Sequence, residues 1–171
     1  PVLTEPAQAE ARLAQVADAF LHHDRPIVRP ADDSVVRVVA GRARPIRLGR
    51  GVAPLELELP RALGEPVLAV GGHLKATVAL AWDRRVVVSP HIGDMGTLRS
   101  EQVFAQVAED LQRLYDVRAG RVLHDAHPGY ATTRWALASG LPATTVLHHH
   151  AHASGLVQEW AVEETAIVFA W

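Results

Sequence analysis

From Pro66 onward the apolar residues alternate between two spacings, and this most restricts what the chain can fold into. Residues 67–70 form a short apolar run, residues 76–82 and 86–89 are strand-like, and Gly71-Gly72 and Asp83-Arg84-Arg85 read as tight turns between them. Residues 99–115 then place Val103, Val107, Leu111 and Leu114 on one helical face, with Glu101 near the helix start. After that come a strand at 121–124, a helix at 131–138 closed by Gly140, and a strand at 143–147. Residues 148–159 have helical composition, and 164–170 read as a final strand. The order β-β-β-α-β-α-β-α-β predicts an α/β fold, a mixed sheet with helices on its faces.

Upstream the pattern is looser. Ala9, Leu13, Val16 and Phe20 share one stripe, which predicts an amphipathic helix over residues 7–21, ended by Pro26 and Pro30. Residues 34–39 and 46–48 read as short strands separated by Gly41, and residues 51–65 as a linker. The chain opens on a proline and stops within or just after a predicted strand, so both ends are expected to be cuts through a longer protein.

Composition excludes several classes. Nineteen acidic against seventeen basic side chains leave a net charge of −2, which argues against DNA or an anionic membrane as partner. No apolar run approaches the roughly 20 residues of a membrane helix, and no secretory signal opens the chain, so a cytoplasmic setting is the default expectation. With zero cysteines, this stretch has no disulfide, thiolate metal site or cysteine nucleophile.

Four of the ten histidines stand within His148-His149-His150-Ala151-His152, at a predicted strand-to-helix junction. Positions four apart on a helix share a face, so His148 and His152 can present both imidazoles to one point, as in paired-histidine zinc helices. Two histidines make half a coordination shell, and further ligands have to come from elsewhere. A surface cluster without function is the alternative. Gly71-Gly72-His73-Leu74-Lys75 combines glycines that allow close backbone approach with the chain's single lysine, an ammonium available to a phosphate. An ordinary hairpin turn is the competing reading.

Ser89-Pro90-His91-Ile92-Gly93-Asp94 and Asp125-Ala126-His127-Pro128-Gly129-Tyr130 each follow a predicted strand and set imidazole beside carboxylate. The pairs His91 and Asp94, and Asp125 and His127, can bind metal, orient a histidine or cap the next helix. Arg29, Asp32, Asp33 and Ser34 form a polar cluster before a strand, where ion-pair and turn roles are ordinary. G-x-S-x-G, Walker and G-x-G-x-x-G patterns are absent, which removes the serine hydrolase, P-loop and Rossmann readings.

In order along the chain stand residues 24–37 (Asp-Arg-Pro-Ile-Val-Arg-Pro-Ala-Asp-Asp-Ser-Val-Val-Arg), Arg50-Gly51-Val52-Ala53-Pro54, the Gly71 to Lys75 run, the Ser89 to Asp94 run, the Asp125 to Tyr130 run and the histidine cluster. Together they resemble the HypF family of hydrogenase maturation carbamoyltransferases. The resemblance implies that residues 1–50 are the C-terminal part of a YrdC-like domain and 51–65 a linker. It makes 66–171 the first half of an actin-like, ribonuclease H-like ATPase domain of the Kae type. It further implies an enzyme that forms carbamoyl-adenylate from carbamoyl phosphate and ATP with magnesium. The carbamoyl group then passes to the C-terminal cysteine of a partner maturation protein, HypE, for the cyanide ligands of nickel–iron hydrogenase.

Under that resemblance His148 and His152 are the pair that holds a divalent metal, iron or zinc, beside the nucleotide. Lys75, with Gly71 and Gly72, falls in the phosphate-loop region, and Arg29, Asp32, Asp33 and Ser34 near the adenylate site. Zinc would also sit in finger-like modules upstream of this chain, and the carboxylate completing the metal site would follow Trp171. Ala76 departs from a common asparagine and Gly129 from a common acidic residue, which leaves the polar contacts there unassigned. Related readings are an O-carbamoyltransferase, whose two domains usually run in the opposite order, and a tRNA threonylcarbamoyl transferase, which normally lacks a fused YrdC-like tail. The third is an inactive fragment, since half a nucleotide cleft binds weakly.

Overall fold

The computed structural model describes residues 2–159 together with Val162, Thr165, Ile167 and Val168. Its centre is a six-stranded mixed sheet built from β3 (Leu55–Glu58), β4 (Val67–Ala69), β5 (Ala79–Trp82), β6 (Arg85–Val88), β7 (Arg121–Asp125) and β8 (Ala143–Val146). The spatial order is β3-β6-β5-β4-β7-β8, with antiparallel pairing from β3 to β4 and parallel pairing from β4 to β8. The carboxyl ends of β4, β7 and β8 therefore open on one edge, where α/β sheets place ligands.

Helix α2 (Leu98–Tyr115) covers the sheet. Thr97 caps it, its hydroxyl accepting from the Ser100 N–H at 3.1 Å, and Asp116 ends it in the left-handed conformation at φ 53°. Its inner face delivers Val103, Phe104, Ala108 and Leu111 onto Leu68, Val78, Leu80, Val87 and Val122. Phe104 is fully buried and meets Trp135 of α3 (Ala131–Ala138) edge to face at 5.3 Å between ring centres. Strand alternation sends Val122 and His124 of β7 inward, while Leu123 and Asp125 take the other face. His124 is a satisfied core histidine: its Nδ1 lies 2.8 Å from the Asp125 carbonyl and its Nε2 3.4 Å from the Thr145 hydroxyl.

Upstream, β1 (Val35–Val39) and β2 (Arg42–Arg47) pair as an antiparallel hairpin. Its turn, Ala40-Gly41, has both φ values positive, at 49° and 73°, which suits the right-handed twist of the strands. Helix α1 (Pro6–Leu13) precedes it and buries no residue. No helix among the described residues is long and apolar enough to cross a membrane.

Several expectations need correction. The predicted helix at 7–21 stops at Leu13, because the stripe finds no surface to cover: Val16 is exposed. The second strand is Arg42–Arg47 rather than 46–48, fixed by hairpin pairing with β1. Part of the 51–65 stretch read as a linker is β3, joined in register to β6 (Leu55 opposite Val88, Glu58 opposite Arg85). Gly71-Gly72 does not form a tight two-residue turn. The β4–β5 connection runs through residues 70–78, and Ala76, read as strand, makes only an isolated bridge to Gly93. The final strand at 164–170 falls on a stretch most of which lies outside the described residues.

Candidate metal centre

At the sheet edge a cleft of about 640 Å³ is lined by Ala69, Asp125 and Val146, the last residues of β4, β7 and β8, and by Gly71, Gly72 and one face of α4 (His148–Glu159). Helix α4 starts one residue after β8, with the Ala151 N–H donating to the Leu147 carbonyl at 3.0 Å. The four-residue spacing sets His148 and His152 on one face, as predicted. Their ring centres are 4.8 Å apart and their Nε2 atoms converge to 3.1 Å. The His149 and His150 side chains are exposed and make no hydrogen bond with the described residues.

This separation suits a shared cation. Two imidazole nitrogens bonded at about 2.05 Å to one zinc-sized ion lie about 3.3 Å apart at tetrahedral and about 2.9 Å apart at octahedral angles; the observed 3.1 Å falls between. Among the described residues no third histidine or carboxylate converges with the pair. The donor set therefore fits half a coordination shell, with open positions facing the cleft.

Asp125 is the acid closest to the pair. Its Oδ2 accepts from His148 Nδ1 at 2.7 Å and its Oδ1 from the His127 backbone N–H at 2.8 Å. Burial alone would raise this carboxyl, but the His127 N–H, the His148 hydrogen bond and the two imidazoles outweigh it and hold it below the ordinary aspartate value. His127 does not reach the histidine pair. It stacks on Tyr130 at 4.3 Å, and His73 stacks on the same ring at 5.5 Å. A Cβ on Gly72 would make ordinary van der Waals contact with the His148 ring at 3.7 Å and with Tyr130 at 4.0 Å, so the backbone of this loop lies beside the histidine pair.

The other predicted residues divide. Gly71 and Gly72 line the cleft. Lys75 is exposed, in the left-handed conformation at φ 52°, and does not line it. The carboxylate of Asp94 instead secures the loop by accepting the Lys75 backbone N–H at 2.8 Å. His91 lines a second hollow, of about 390 Å³, with Pro30, Asp32 and Arg47, and its N–H donates to the Leu48 carbonyl at 2.7 Å. Burial, then Arg47 and Lys75, push the His91 imidazole below its ordinary value, although Asp94 and Asp32 pull the other way.

The cluster before β1 is built from ion pairs and a turn. Asp33 pairs with Arg50 at 2.6 Å, and Asp32 with Arg47 at 3.1 Å. The Ser34 hydroxyl accepts from the Gly49 N–H and donates to the Arg50 carbonyl, both at 3.0 Å. Arg29 is drawn away from this group: its Nε donates at 2.6 Å to Asp110 on α2, which Arg113 also engages. Sequence reasoning did not anticipate Asp110, whose only signal was a charged residue on the inner side of an amphipathic helix.

An antiparallel ribbon leading into three parallel strands, with a histidine pair opening the helix after the last, defines an α/β domain with a mixed sheet of the actin-like class. Comparison with known proteins agrees. The profile of the HypF Kae1-like domain matches residues 62–159. Carbamoyltransferase HypF of Synechocystis is 42% identical over 95% of this chain and 21% of its own length. Carbamoyltransferase HypF2 of Cupriavidus necator is 41% identical over 99% of this chain and 22% of its own. A crystal structure of full-length HypF in the phosphate- and nucleotide-bound form superposes with a TM-score of 0.88 at 35% identity, covering 96% of this chain and 26% of that one. HypF from T. kodakarensis superposes with a TM-score of 0.84 at 31% identity, over 94% of this chain and 21% of that one. The chain belongs to the HypF family. It spans about a fifth of the length of the curated relatives it matches.

Proposed function

We propose that this chain forms part of a cytoplasmic, ATP-dependent carbamoyltransferase of nickel–iron hydrogenase maturation. The carrying observation is the convergence of His148 and His152 on a cleft at the sheet's carboxyl edge, within a chain of the HypF family. In this reading residues 1–50 close a YrdC-like domain that makes carbamoyl-adenylate from carbamoyl phosphate and ATP. The sheet from β3 onward is the front half of the domain that transfers the carbamoyl group. The C-terminal cysteine thiolate of HypE attacks the carbamoyl carbon, AMP departs, and a thiocarbamate results.

His148 and His152 would hold a divalent iron or zinc ion, which when bound neutralises charge developing at phosphate or carbamoyl oxygens. The chain's own contribution is placement. Gly72 brings backbone beside the pair, Gly71 lines the same cleft, and Asp125 secures the strand end next to it. In the full-length protein, ATP consumption should depend on carbamoyl phosphate, and the double variant His148→Ala, His152→Ala should lose carbamoyl transfer to HypE by at least about 100-fold. Transfer at the wild-type rate by that variant would refute the assignment.

A further inference from the structure

Asp125 and His148 are 23 residues apart, yet the parallel pairing of β7 with β8 brings the end of one strand against the helix that follows the other. Both Asp125 oxygens are engaged, one by the His127 N–H and one by His148 Nδ1, and its side chain is only 8% exposed. A carboxylate held at both oxygens braces the loop and the ring together.

We propose that Asp125 is a positioning residue: it fixes the His148 ring with its proton on Nδ1 and its Nε2 lone pair toward His152. This deepens, and rests on, the metal-site reading above. An ionised carboxylate only accepts hydrogen bonds, so the ring nitrogen facing it has to donate, and in a neutral imidazole the other nitrogen is then the acceptor. His152 has no such brace, because among the described residues its ring meets only His148 Nε2, at 3.1 Å. The pair is therefore unequal: only His148 is braced by a carboxylate.

Asparagine at this position separates orientation from size. Two N–H groups, from His127 and His148, converge on Asp125, but an amide offers one acceptor oxygen and an NH₂ donor. If the oxygen stays with His127, the NH₂ faces His148 Nδ1. That nitrogen becomes the acceptor and the proton moves to Nε2, where it blocks the metal position.

The test uses full-length protein carrying ¹⁵N-histidine, with His148 resonances assigned by comparison with His148→Ala. Metal-free wild type, at a pH where the imidazoles are neutral, should show His148 protonated on Nδ1, and Asp125→Asn should show it protonated on Nε2. Zn²⁺ affinity of the site that His148→Ala, His152→Ala removes, measured by chelator competition against that double variant, should fall about 10- to 100-fold in Asp125→Asn. A wild-type His148 protonated on Nε2 overturns the proposal even if the variant fails to fold. Zn²⁺ binding by a folded Asp125→Asn within about twofold of wild type also overturns it. Wild type that binds no more Zn²⁺ than the His148→Ala, His152→Ala variant would defeat the metal reading alone, because the tautomer is read without metal.

Discussion

The region before Arg50 and the sheet region after it are held together by different forces. In the sheet region, side chains such as Leu68, Val78, Leu80 and Phe104 are fully buried in one continuous core. In the upstream region α1 buries nothing, and the β1–β2 hairpin shows its valines to the outside, Val38 being 72% exposed. That hairpin is specified by its turn and its ladder. It is placed by polar contacts: Arg29 to Asp110, Arg44 to Glu159 at 2.8 Å, and the His91 N–H to the Leu48 carbonyl. Hydrophobic burial scales with area, whereas exposed ion pairs contribute at most about 1 kcal/mol each. The sheet region therefore carries its own stability, while the upstream region depends on what it is joined to.

Paired substitutions offer the largest test of this contrast. Phe104→Ala should cost the sheet region about 3–5 kcal/mol in denaturant unfolding, through lost burial and the cavity left behind. Val38→Ala should change the same transition by less than about 0.5 kcal/mol. Equal losses would mean that the hairpin is packed as firmly as the core. A smaller effect is expected at the seam, where His91 is held below its ordinary pKa of 6.5 by burial, Arg47 and Lys75, against Asp94 and Asp32. The unfolded chain then binds the proton more readily than the folded one, so stability should fall as pH drops below 6.5 and level off once folded His91 protonates. His91→Gln should flatten this slope in denaturant titrations repeated across pH. An unchanged slope would assign the pH dependence to other groups.

The parts legible in the sequence were those with local causes. The α2 stripe predicts a helix within one residue of its observed start, and the four-residue histidine spacing predicts the shared face. One element was missed despite a signal. Leu55-Glu56-Leu57-Glu58 alternates at the strand period, but Pro54 and Pro60 flank it and the strand is an edge, so its leucines are poorly covered.

The glycine loop was misread for a different reason. Its shape is set by contacts across about 60 residues of chain, the Ala131 N–H to His73 Nδ1 at 3.4 Å and the Thr132 hydroxyl to the Gly71 carbonyl at 3.1 Å. Local turn rules carry no information about such partners. The same holds for Asp125. Orienting a histidine was one of three roles open to it, and only the strand pairing shows which imidazole it meets and that both of its oxygens are engaged.

The central claim is that His148 and His152 together hold a metal ion. X-ray absorption at the iron edge of the full-length protein, loaded with iron, addresses it directly when compared with the His148→Ala, His152→Ala variant. The account predicts two imidazole nitrogens bonded to the metal at about 2.0–2.1 Å in wild type and their loss in the variant. An unchanged spectrum with undiminished metal content in the variant would contradict it.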